Sequence, residues 1–352
     1  MNAKTIPLLI EGRRICEDTP PYVIAELSGN HNGDINRAYS IMEAAKHAGA
    51  DAVKLQTYTA DTLTIDHDGP GFSIHDGPWA GRNLYDLYQE ASTPWEWHEK
   101  LFQKGRDLEI TVFSSPFDET AVDLLEELGC PAYKIASFEA VDFPLLEKVA
   151  STRKPVIVST GMVDQTEIGE LIACLREAAS GEIALLHCVS EYPALPESSN
   201  LRSIQALSNR YGVVVGLSDH TLGTVTSVSA VALGASIIEK HVTLSRSDGG
   251  VDAAFSLEPH ELKMLVADCN TAWSAKGEIV IGRQEAAEGN KKYRRSLYAV
   301  MDIKKGETLS SDNIRSIRPG YGLEPKSYKD VLGHKAKFDI ARGTPLDWRM
   351  FR

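Results

Sequence analysis

The sequence predicts a (β/α)8 TIM barrel, an α/β fold, followed by a small β-rich domain, and three observations predict it. Eight short apolar, β-branched runs end in polar residues: Ala25-Glu26, Lys54-Leu55-Gln56, Ser114-Ser115, Lys134-Ile135-Ala136-Ser137, Ser159-Thr160, His187-Cys188, Ser218-Asp219-His220 and Glu239-Lys240-His241. Stretches of helical periodicity separate most of them. Near the end, a D-I-x-x-G-x-x-L pattern occurs twice, at 302–309 and at 339–346. In a parallel barrel all strand carboxyl ends open on one face, so the polar residues of the eight runs converge on one pocket.

Taken in order, Pro7–Ile10 and Arg13–Cys16 flank Glu11-Gly12, which predicts a hairpin within residues 1–17 that plugs the amino-terminal end of the barrel. The strand cores are Val23–Ala25, Ala52–Leu55, Ile110–Phe113, Ala132–Ile135, Val156–Val158, Ile183–Leu186, Val213–Leu217 and Ser236–Ile238. They are continuous rather than alternating, as strands covered on both faces are. Helices are expected over Asn36–Ala48, Pro94–Lys104, Glu119–Leu128, Glu167–Ala178, Thr224–Leu233 and Pro259–Trp273. Thr93 ahead of Pro94 and Asp118 ahead of Glu119 are start signals. Gly49, Gly129, Gly212 and Gly234 fall near helix-to-strand turns. The segment from Thr57 to Arg82 is long and rich in Gly, Asp and His, and a loop of that kind on the catalytic face covers or shapes a substrate site. The barrel is expected over 1–285, a linker over 286–295 with the basic run Lys291–Arg295, and the β-rich domain over 296–352.

The length of 352 residues suits a barrel with an appendage. A formal net charge of −12 argues against a nucleic-acid partner. The five cysteines are scattered without a CxxC pair, which fits a reducing compartment. The only apolar run near the start, Ile6–Ile10, is too short for a signal-peptide core, and no segment approaches a membrane span. A cytoplasmic protein without membrane partners is expected.

His220 and His241 end neighbouring strands, so two imidazoles converge. With oxygen ligands from water or Glu26 they would make a mixed N/O site suited to Mn, Fe, Co or Zn; the alternative is two hydrogen-bonded structural histidines. Lys134 with Ser137 three residues on can hold a phosphate or carboxylate, and Ser159, Ser190 and Ser218 can add donors. Each serine alone could equally be a helix cap. Glu26, Lys54, Gln56 and Glu139 would face the same cavity, where a carboxylate beside lysines can act as general acid or base or form a structural ion pair. Lys134 also reads as a Schiff-base amine. Trp79, Trp95 and Trp97 could line a sugar site or pack helices on the barrel.

The segments Ile24–His31, Lys134–Glu139, Ser159–Met162, Gly216–His220 and Arg318–Gly320 resemble those of the sialic acid synthase family over nearly the whole chain, and the tail resembles that family's antifreeze-like (SAF) domain. Gln56–Thr59, Leu84–Tyr88, Thr93–His98, Phe113–Phe117 and Tyr321–Lys326 resemble its pseudaminic branch more than the N-acetylneuraminate or legionaminic ones. The resemblance implies condensation of phosphoenolpyruvate with an amino-sugar aldehyde to a nine-carbon α-keto acid, with release of phosphate. It implies that Lys134, Ser137, Ser159, Ser190 and Ser218 hold phosphoenolpyruvate, and that His220 and His241 bind a divalent metal, Mn2+ or Mg2+. Glu26, Lys54 and Glu139 would serve the chemistry, with Gln56, Tyr192 and Asp252 at the sugar. Arg318 would reach the sugar site of the other subunit in a domain-swapped homodimer. Ser190 departs from the asparagine common in N-acetylneuraminate synthases. Two other classes compete: a metal-free Schiff-base aldolase acting through Lys134, and a non-catalytic carbohydrate- or ice-binding protein, which rests on the tail alone.

Overall fold

The computed structural model describes residues 6–178, 182–282 and 284–351; residues 1–5 of the expected hairpin segment and residue 352 of the tail lie outside them. Two compact units are present, Met1–Gly277 and Glu278–Arg352.

In the first unit, β1 (Leu8–Ile10) and β2 (Arg13–Ile15) form the expected hairpin. Its turn residues Glu11 and Gly12 sit at φ 45° and 80°, the conformation that two-residue hairpin turns need. Leu8, Ile10 and Ile15 join the barrel core. The Thr111 hydroxyl donates to Glu11 Oε2 at 2.6 Å, which ties the turn to the amino-terminal end of a barrel strand, as expected.

The barrel strands are β3 (Tyr22–Glu26), β4 (Ala52–Thr57), β5 (Thr111–Pro116), β6 (Tyr133–Ile135), β7 (Val156–Ser159), β8 (Ile183–Cys188), β9 (Val214–Ser218) and β10 (Ile237–His241). All pair in parallel with their neighbours, and β10 closes on β3. Register sets Glu26 beside Lys54 on one side and His241 on the other, and sets Ser218 beside Glu239. Their apolar residues are buried, Val, Ile and Leu almost throughout, so the continuous runs are barrel strands covered on both faces. Gly216 is required where β9 meets β10: a Cβ there would lie 2.3 Å from the Ile237 carbonyl oxygen.

Helices Ile35–Ala48, His98–Leu108, Glu119–Glu127, Phe143–Ser151, Gln165–Glu177, Arg202–Tyr211, Val225–Ala232 and Pro259–Lys276 follow the strands. Asp118 starts its helix as expected, accepting from the Thr120 and Ala121 N–H groups. Thr93 does not. Pro94 is extended (φ −53°, ψ 135°), the chain enters through a 3₁₀ turn at Trp95–Trp97, and the buried Thr93 hydroxyl has no partner. The long segment after β4 carries a helical turn at Ala60–Leu63, is tied back on itself by bonds between Ile74 and both Gly81 and Arg82, and leads into a helix at Leu84–Ala91. No described helix is long and apolar enough to cross a membrane.

The second unit pairs β11 (Ser296–Ala299) with β12 (Ile314–Ile317) over a core that includes Leu297, Ile303, Leu309, Ile340 and Leu346. The sequence repeat is a structural repeat. Ile303 and Ile340 exchange both backbone hydrogen bonds at 2.8 Å. Asp302 accepts from the Arg342 N–H, and Asp339 accepts from the Lys305 N–H, both at 2.8 Å. Gly306 and Gly343 turn at φ 84° and 87°.

Candidate active site

The carboxyl ends of the barrel strands bring most of the anticipated residues together. Glu26 ends β3 and is fully buried; its Oε1 accepts from Gln56 Nε2 at 3.0 Å, and its Oε2 lies 2.8 Å from Lys54 Nζ. Lys54 also donates to Glu239 Oε1 at 3.0 Å, and Lys134 reaches the same oxygen at 3.0 Å. The Ser218 hydroxyl completes the contact at 3.3 Å. Burial pushes the Lys54 ammonium down to about 7, with Glu239 opposing and Lys134 adding to the fall. Burial alone would raise the Glu239 carboxyl, but the two lysines hold it well below the usual carboxylate range. Glu239 is the residue that sequence reasoning passed over. Its strand position, two before His241, places both side chains on one face, which was the available signal.

Glu139 sits in a 3₁₀ turn just beyond β6. Burial raises its carboxyl to about 7 against the pull of Lys134 and Lys54, and its Oε2 is buried without a hydrogen-bond partner. A carboxyl poised there can take or give a proton near neutrality.

A second cluster suits an anion. The Gly161 N–H donates to Ser137 Oγ at 3.1 Å, and the buried Ser159 Oγ is without a partner. A cavity of about 670 Å³, lined by Gly161, Cys188, Ser190 and Arg202 among others, opens beside them. A Cβ on Gly161 would fall 2.4 Å from Ser190 Oγ and 3.0 Å from Ser137 Oγ. The Ser190 hydroxyl can rotate away, so Gly161→Ala is expected to leave the fold intact. It should weaken anion binding by about 1–3 kcal/mol, roughly a 5- to 150-fold rise in the KM for the anionic substrate. Steady-state kinetics alongside a melting curve check this.

The imidazoles of His220 and His241 lie 5.5 Å apart, centroid to centroid. His220 Nδ1 lies 2.9 Å from the Val189 carbonyl oxygen and donates to it, so in the neutral ring Nε2 is the lone-pair nitrogen. Burial keeps His241 neutral, well below its ordinary value, and His220 and Lys54 add to that. Its buried Nδ1 has no hydrogen-bond partner and faces Asp252 Oδ2 at 3.7 Å. Burial raises the Asp252 carboxyl, with Ser28 and His220 opposing. Burial lowers the His220 imidazole, but Cys188, the Val189 carbonyl and Glu239 outweigh it and leave it raised, so a bound cation would have to displace a proton there. Two imidazoles this close, one of them neutral with an orphaned nitrogen, fit a divalent cation. Among the described residues no group of three or more His, Cys, Asp and Glu is arranged as a ligand set, so further ligands would be substrate or water.

Tyr192 stacks 4.3 Å from His220 and packs against Phe255 and Trp79. The Trp79 indole donates to the Val251 carbonyl at 2.8 Å, so this tryptophan belongs to the site wall. Trp97 instead packs edge-on against His31 at 5.4 Å and on the core. Arg318 lies in the second unit, directly after β12.

The NeuB family model matches residues 41–280, and the SAF domain model matches 294–352. Pseudaminic acid synthase of Helicobacter pylori is 45% identical over 328 residues, covering 93% of this chain and 96% of that protein. Pseudaminic acid synthase of Campylobacter jejuni is 44% identical over 335 residues, covering 95% and 98%. Among solved structures, N-acetylneuraminic acid synthetase of Leptospira borgpetersenii superposes with a TM-score of 0.74 at 30% identity, covering 82% of this chain and 96% of that one. With a family match across most of the barrel and relatives this similar along nearly its whole length, the chain belongs to the NeuB family and carries a SAF domain.

Proposed function

We propose that the chain is a pseudaminic acid synthase. It condenses phosphoenolpyruvate with the open-chain aldehyde of 2,4-diacetamido-2,4,6-trideoxy-altrose and water, giving pseudaminic acid and phosphate. The observation that carries this reading is the likeness, at 45% and 44% identity over nearly the full chain, to two proteins named for that activity.

Lys134 and Lys54 neutralise the phosphate and carboxylate of phosphoenolpyruvate, in an enclosed site where that attraction is strongest. Ser137, Ser159, Ser190 and Ser218 supply hydroxyl donors around the same anion. Mn2+ or Mg2+ held by His220 and His241 would act as a Lewis acid on the aldehyde carbonyl. Gln56, Tyr192 and Asp252 line the sugar side and orient the aldehyde carbon toward the enol carbon of phosphoenolpyruvate. The new C–C bond leaves an oxocarbenium-like carbon, which takes up water. Glu139, whose carboxyl lies near neutrality with one oxygen free, accepts the proton of that water. Lys54, an easier proton donor than an ordinary lysine, supplies the one that the aldehyde oxygen takes up. The added hydroxyl oxygen then forms the keto C=O as the bond from that carbon to the phosphate oxygen breaks, and its proton leaves with the phosphate. Glu26 holds Lys54 in place. Lys134 Nζ lies against the Glu239 carboxylate, which supports an electrostatic role rather than imine formation.

In this reading the protein is a domain-swapped homodimer in which the partner's Arg318 reaches the sugar. Segments after β6 to β9 carry the exposed apolar side chains Phe138, Met162, Leu195 and Leu222, with Val225 at the start of the helix after β9, which supports a covered mouth.

A panel of amino-sugar aldehydes with phosphoenolpyruvate, read by phosphate release and product mass, tests the proposal. Turnover of the diacetamido-trideoxy-altrose, lost with EDTA and restored by Mn2+, is expected. Turnover of N-acetylmannosamine or the legionaminic precursor alone overturns the sugar assignment. Activity indifferent to chelator, with borohydride trapping at Lys134, overturns the mechanism.

A further inference from the structure

Beside the imidazoles lies a second buried pair that the chemistry above does not use. Lys240 Nζ is 3.0 Å from Asp219 Oδ2, and the two side chains are only 0% and 1% exposed. Side chains alternate along a strand, so Lys240 points away from the barrel interior where His241 points in. Asp219 also faces outward: its Oδ2 accepts from the Ser227 hydroxyl, at 2.5 Å, on the helix Val225–Ala232. Its Oδ1 accepts from the Thr221 N–H and hydroxyl, both at 2.8 Å. The Lys240 ammonium donates in turn to the Thr221 carbonyl. The residues on either side of His220 are thus bonded to the residue before His241, across the β9–β10 seam. The Asp219 N–H adds a bond to the Glu239 carbonyl at 3.0 Å.

A buried ion pair adds little stability over a well-packed apolar pair, but its directional bonds hold two strand ends in one relation. We propose that Asp219 and Lys240 are positioning residues whose ion pair sets the spacing of His220 and His241, so that both imidazoles meet one divalent cation. This rests on the reading of those histidines as metal ligands. Partners bonded directly to a metal ligand are worth about 10- to 100-fold in affinity; this pair acts one residue removed, through the two backbones, so its effect is expected at about 10-fold or below.

Mn2+ titration of the full chain without substrates, read by the EPR signal of free Mn2+, tests the pair apart from activity. Wild type is expected to bind Mn2+, and H220A/H241A to lose that binding. The variant D219L/K240M removes both charges together. It should fold, by circular dichroism and melting, yet bind Mn2+ about 3- to 10-fold more weakly. K240R, which keeps the charge, should stay much closer to wild type. If the double variant does not fold, D219E takes its place; it is expected to keep the fold by circular dichroism, at a somewhat lower melting temperature, and to bind Mn2+ more weakly. Wild-type affinity in a folded D219L/K240M or D219E variant overturns the proposal. Equal Mn2+ binding by wild type and H220A/H241A instead overturns the metal reading, and this proposal with it.

Discussion

Replacing Glu239 with glutamine is expected to lower the melting temperature of the barrel sharply. The carboxylate touches Lys54, Lys134 and Ser218 through one oxygen, and it is 4% exposed. Removing its charge leaves two buried ammonium groups facing each other, with only Glu26 beside Lys54. Breaking a buried pair from one side costs about 3–5 kcal/mol. At roughly 2–4 °C per kcal/mol for domains of comparable size, the loss is about 6–20 °C. Phosphate or phosphoenolpyruvate should restore part of it, because an added anion beside the lysines supplies the negative charge that the amide lacks. The gain in melting temperature per added phosphate should therefore be larger in E239Q than in wild type. A variant that melts within about 2 °C of wild type would show that the lysines do not depend on this carboxylate.

For Glu139→Gln the expected loss is in turnover. The amide keeps the shape of the side chain but cannot accept a proton, and general-base catalysis contributes about 10²- to 10⁴-fold. The fall should appear in kcat, with the KM for phosphoenolpyruvate little changed, since Lys134 and the serines remain. The pH dependence follows from the raised carboxyl. Burial lifts Glu139 to about 7, and Asp142 adds to the rise while Lys134 and Lys54 oppose it. In the proposed mechanism the group works as a carboxylate, so protonation disables it: wild-type kcat should fall as pH drops below about 7. In E139Q that acid limb should disappear along with most of the rate. An acid limb that persists in E139Q would assign it to another group, with Glu26 the first to examine.

The barrel was readable because its strands are buried on both faces, and a short run of Val, Ile and Leu without a polar face suits a strand covered in that way. The helix ends were less so. Thr93 ahead of Pro94 looks like a start signal, but an extended Pro94 delays the helix and strands the threonine hydroxyl. In the site, residues that end a strand were found because termination is visible in the pattern. Glu239 was not, because Glu239, Lys240 and His241 form one polar burst in which period 2 sorts the side chains to opposite faces. Only the contacts tell them apart: Glu239 meets Lys54 and Lys134, and Lys240 meets Asp219. Gly161 was legible as part of a motif, but its close approach to Ser190 depends on a distance no sequence states.

The reciprocal bonds of the second unit have a consequence for its history and its handling. Asp302 completes the turn at Arg342, and Asp339 completes the turn at Lys305. Neither copy of the pattern is whole by itself, so half of the unit is not a smaller version of the whole. Any ancestor made of a single copy would have needed a second molecule to supply the missing aspartate. Joining the copies in one chain makes that encounter intramolecular, and its success no longer depends on protein concentration.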